Sequence, residues 1–95
     1  MEIIYRIPFG TFFEGHDTDG ADLDASFDTF CDRLTEWINE EFPDADVYVE
    51  AHDPGQLQPY LRVMPEEKHE AVEYLIGVLG YEIWQAGSFW CPTEN

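Results

Sequence analysis

The stretch "ADVYVEAHDPGQLQPYLRVM", residues 45–64, holds two runs of alternating apolar and polar side chains around a Pro-Gly break. Val47 and Val49 alternate in the first run, Leu61 and Val63 in the second, and alternation of period two is the mark of a half-buried strand. "DPGQ" between them has turn composition, so the stretch predicts an antiparallel hairpin. Upstream, "DASFDTFCDRLTEWINEEF" repeats apolar residues every three or four positions (Phe27, Phe30, Cys31, Leu34, Ile38, Phe42), which predicts a helix over about 25–42. Asp24 or Ser26 would cap it and Pro43 would stop it. Further upstream, "EIIYRIPF" alternates Ile3, Tyr5, Ile7 and Phe9 as a strand, with a Gly- and Asp-rich loop over 10–24. Downstream, Pro65 opens a second helix, "PEEKHEAVEYLIGVL", with Val72, Leu75, Ile76 and Leu79 inward and Gly80 as its cap. "YEIWQ" and "SFWC" then predict a closing strand or short hairpin. The order is β-α-β-β-α-β, an α+β chain of the ferredoxin-like, split βαβ arrangement. It has an antiparallel sheet, two helices on one face and room for a fifth strand at the C-terminal end.

Ninety-five residues with 44% hydrophobic and 16% aromatic side chains suffice for one acidic α+β domain spanning 1–95. No apolar run approaches the roughly 20 residues that span a bilayer. "MEIIYRIPFG" lacks the basic region and small-residue cleavage site of a signal peptide. Cys31 and Cys91 have no framework or metal-site spacing, so free thiols in a reducing cytoplasm are expected.

The charge is the outlier. Twenty-one acids face four bases, a net of −17. Self-repulsion on this scale works against compactness. Phosphate binding requires Lys and Arg, so the charge argues against direct binding of nucleic acid and equally against adhesion to anionic membrane. A basic partner, a cation or a salty cytoplasm remains. The acids are uneven: residues 1–53 carry a net of −13 and residues 54–95 a net of −4.

Three readings of the charge compete. As a calcium loop starting at Asp17, the chain offers Asp19 at position 3 and Asp28 at 12, but Ala21 at 5 and Asp22 where an EF-hand needs Gly. As salt adaptation, the single lysine fits while the lopsided distribution does not. The third reading starts from Asp24, Asp28, Asp32, Glu36 and Glu40, a row at i, i+4 spacing on the predicted first helix. Like charges at this spacing destabilise a helix, so something outside the chain benefits. The row spans about 24 Å at ~1.5 Å per residue, a length over which a DNA strand carries roughly seven phosphates.

Glu14, Asp17, Asp19 and Asp22 extend the track upstream, and Glu41, Asp44 and Asp46 downstream. Together these twelve acids are the candidate partner-binding residues. His16, His52 and His69 are scattered, so no metal, cofactor or catalytic set is expected. In size, charge and acid spacing the chain resembles the small acidic proteins with which phages counter host defence: DNA-mimicking anti-CRISPR, anti-restriction and uracil-glycosylase-inhibitor proteins. That resemblance carries no sequence motif. It implies a stoichiometric inhibitor, not an enzyme, monomeric or dimeric in the host cytoplasm. Its expected partner is a basic nucleic-acid-binding protein: a CRISPR effector, a restriction enzyme or a DNA glycosylase. The alternatives are a halophile's interaction domain, which should unfold in low salt, and a calcium module, which calcium should stabilise.

Overall fold

A computed structural model describes residues 1–15 and 18–92. The elements are β1 (Glu2–Ile7), α1 (Phe9–Phe12), α2 (Leu23–Glu41), β2 (Asp46–Ala51), β3 (Tyr60–Met64), a 3-10 turn (Glu66–Lys68) and α3 (His69–Ala86). This is a mixed α+β fold with a three-stranded sheet.

The two runs of residues 45–64 are both strands, but they do not pair with each other. The sheet order is β2-β1-β3, with β2 parallel and β3 antiparallel to β1. Ile3 faces Val47 on one side and Val63 on the other, and Tyr5 faces Val49 and Leu61. The expected hairpin is therefore replaced by a connection that carries the chain across the end of β1. Two strand spacings are only about 10 Å, which the eight residues 52–59 cover easily. β1 takes the centre because a middle strand needs partners on both edges, and its inward Ile3 and Ile7 are the most deeply buried strand residues beside Val63.

The expected closing strand is also corrected. α3 runs through Gly80 and "YEIWQ" to Ala86, and Gly87 ends it in the left-handed conformation at φ 66°. Ile83 continues the inward stripe of Val72 and Ile76 by two further turns, so packing favours helix over strand. The ring of Phe30 lies against Gly80, which serves the α2–α3 contact instead of a cap. Among the described residues no fourth strand forms, so the ferredoxin-like strand order does not occur.

The residues after α3 fold back on α2. Cys91 N–H donates to the buried Ser26 hydroxyl at 2.9 Å, and Asp22 N–H donates to the Cys91 carbonyl at 2.8 Å. Ser26 is thus a tether rather than a cap. The cap is Asp22, whose carboxylate accepts from Ala25 N–H at 3.1 Å, not Asp24. The loop expected over 10–24 begins with the short α1, because Phe9, Phe12 and Phe13 insert beneath α2. Phe12 meets Phe13, Phe27 and Phe30 at centroid distances of 4.7, 5.0 and 4.8 Å. Trp84, Phe89 and Trp90 complete this aromatic cluster. Its edge-to-face contacts add to the burial of the rings themselves.

Candidate functional site

α2 owes its orientation to one stripe. Phe27, Phe30, Cys31, Leu34 and Ile38 are buried against the sheet and α3. At 3.6 residues per turn, that stripe turns Asp24, Asp28, Asp32, Glu36 and Glu40 away from the core, and all five are exposed. Ala25, Thr29, Thr35 and Asn39 lie between them on the same face. The hydroxyls of Thr29 and Thr35 donate to the carbonyls of Ala25 (2.9 Å) and Cys31 (2.8 Å), back into the helix and away from the carboxylates.

Among the described residues no counterion relieves the row. Arg33, the helix's only base, is half-buried; its Nε is enclosed without a hydrogen-bond partner. Among the described residues no cation lies within 4.0 Å of a row carboxylate. Five uncompensated charges therefore share one face.

On one flank the row borders a groove of about 660 Å³ between α2 and β2, where Asp24, Asp28 and Asp32 meet Glu50, with Cys31 at its floor. Burial, and after it the carboxylates of Asp28 and Asp32, push the Cys31 thiol up to about 12. A thiol held protonated in an anionic groove is a poor nucleophile.

The other predicted site acids among the described residues are exposed but dispersed. Glu14 follows α1, Asp19 precedes α2, and Asp22 is engaged as the cap. Asp17 lies outside the described residues. Glu41 ends α2, Asp44 lies in the connection, and Asp46 opens β2 opposite Glu2 of β1. The calcium-loop reading meets a geometric obstacle. Leu23, which would have to offer its carbonyl at position 7, is already the first residue of α2. Among the described residues no helix is long and apolar enough to cross a membrane.

Two surfaces were not anticipated. The sheet face away from the core displays Tyr48, Tyr60 and Met64, with the Arg6 guanidinium 5.4 Å above the Tyr60 ring. On α3, Tyr74 and Tyr81 are 77% and 66% exposed, with Val78 beside them at 37%. The signal for the second surface was the seven-residue spacing of the tyrosines on the side opposite Val72 and Ile76. Ending the helix at Gly80 hid it, because Tyr81 then fell in a strand.

Compared with known families, curated proteins and solved structures, the chain matches no family model, no curated protein and no solved structure.

Proposed function

We propose that this protein is a non-catalytic acidic inhibitor that occupies a basic nucleic-acid channel on a partner protein in place of a phosphate backbone. The observation that carries this reading is the outer face of α2: five exposed carboxylates, no counterion among the described residues, and small side chains between them. The row extends about 24 Å and winds slowly about the helix, so it offers a basic channel a curved line of charge. A net charge of −17 steers such an encounter and makes it sensitive to salt. Among partner classes, a CRISPR effector offers the longest basic channel, the one that holds the guide–target heteroduplex. A restriction enzyme or DNA glycosylase offers a shorter one.

The test is competition. The chain is titrated into complexes of each candidate enzyme with labelled DNA, alongside the triple variant Asp28→Asn/Asp32→Asn/Glu36→Gln. Displacement of DNA by the native chain, lost in the folded variant and weakened by salt, is the expected result. Equal displacement by both would remove α2 from the mechanism. No displacement from any of the three classes would sink the proposal.

A further inference from the structure

We infer that the outer face of α3 is a second docking surface, which takes a basic amphipathic helix: an apolar stripe flanked by arginine or lysine. This goes beyond the proposed role of α2, and none of its residues belongs to the acid row.

The solvent face of an amphipathic helix is ordinarily polar. Here the side opposite Val72, Ile76 and Ile83 carries Tyr74, Val78 and Tyr81, exposed at 77%, 37% and 66%. The tyrosines stand two turns apart, about 10.5 Å at 1.5 Å per residue. Between them lies Gly77, where an added Cβ would meet nothing within 4 Å. The result is a notch between two aromatic rings, an open depression of about 750 Å³. Such a ridge and dip fit a crossing helix, whose own ridge settles over the glycine while the rings grip its sides. Exposed tyrosines on a firm scaffold are also the side chains that anchor interfaces.

The rim selects the partner's chemistry. Glu70, Glu73 and Glu82 border the notch. A second copy of this chain would bring the same acids against one another, in a protein already at −17. A partner helix with Lys or Arg beside its apolar stripe satisfies both the rings and the carboxylates, and its cations can lie over the tyrosine faces.

The experiment uses the full chain and a fluorescent synthetic peptide of about 18 residues, five helical turns, with a leucine stripe flanked by arginines. A peptide of the same composition with the stripe scrambled is the control. Fluorescence anisotropy at about 0.15 M salt should show the striped peptide bound more tightly than the scrambled one. The variant Tyr74→Ala/Tyr81→Ala should weaken binding at least about tenfold, the mark of an anchor. Gly77→Leu, which places bulk between the two rings at a position where a Cβ meets nothing within 4 Å, should do the same. The α2 variant Asp28→Asn/Asp32→Asn/Glu36→Gln should retain affinity within about threefold, the effect of screened, distant charge. Several results would overturn the inference: no binding, equal affinity for the scrambled peptide, unchanged affinity in the tyrosine variant, or loss of binding in the α2 variant alone. A dimer in sedimentation that the tyrosine variant dissolves would also do so, by making a second copy the occupant.

Discussion

Neutralising the middle of the acid row should make this protein more stable while abolishing what the row is for. In Asp28→Asn/Asp32→Asn/Glu36→Gln every like-charged i, i+4 pair between Asp24 and Glu40 is broken, four in all. Neighbours at this spacing lie ~5–6 Å apart at Cβ and repel by about 0.2–0.5 kcal/mol each, giving roughly 0.8–2 kcal/mol. Helix propensities of Asp and Asn, and of Glu and Gln, are close enough to leave that gain intact. The capping Asp22 and the first-turn Asp24 are untouched, so the helix N-terminus keeps its favourable charges. For a chain of this length, about 1 kcal/mol raises Tm by ~4–8 °C. The assay is thermal unfolding by circular dichroism at about 0.01 M and 1 M salt, where the screening length falls from roughly 30 Å to 3 Å. The gain should be present at low salt and nearly gone at high salt. A variant that melts below the native chain, or whose gain is indifferent to salt, would refute the claim that the row strains α2.

Three further outcomes follow from the packing. Ser26→Ala leaves the Cys91 N–H without its acceptor and should cost about 1–3 kcal/mol, with faster amide exchange at Cys91 and Asp22 as the local readout. Gly77→Ala should stabilise α3 by about 1 kcal/mol, since nothing obstructs a methyl group there. Gly87→Ala, at φ +66°, should instead cost about 1 kcal/mol, and paired melts separate the two. Alkali should destabilise the fold. Burial, then Asp28 and Asp32, raise the Cys31 thiol from 9.0 to about 12, and burial, then Cys31, raise the Tyr5 phenol. Below pH 9 the thiol is protonated in both states and costs nothing. From there to about pH 12 the unfolded chain releases its proton first, so stability falls with rising pH. Chemical denaturation across that range checks it, and Cys31→Ala should flatten the slope.

How much of this fold is legible in the sequence depends on how many residues share one period. α2 was legible because Phe27, Phe30, Leu34 and Ile38 hold the helical period over about three turns, and the same period placed Asp24 through Glu40 outward. The strands at β2 and β3 were legible as strands, yet their neighbours were not. Alternation tells which side of a sheet a residue occupies and is silent on which strand lies beside it. "YEIWQ" is five residues long and suits strand or helix equally. What decided it was the burial of Ile83 and the packing of Trp84 among the aromatic rings, together with a glycine that packs where glycine often caps. The α3 tyrosines were lost through that same boundary.

The central position of β1 also sets the order in which this chain can become a protein. Its first residues leave the ribosome before any partner exists: Glu2 waits for Asp46 on one side and for Met64 on the other. At ~5–20 residues per second the wait for Met64 is roughly 3–12 s. Until β3 emerges, β1 has only β2 on one edge, with α2 packed against β2, and its other edge stays unpaired. The sheet is therefore completed only once residue 64 has emerged, around the earliest of its strands. β1 is in this sense the keystone of a sheet whose other strands never touch, and its loss would leave β2 and β3 with no sheet to belong to.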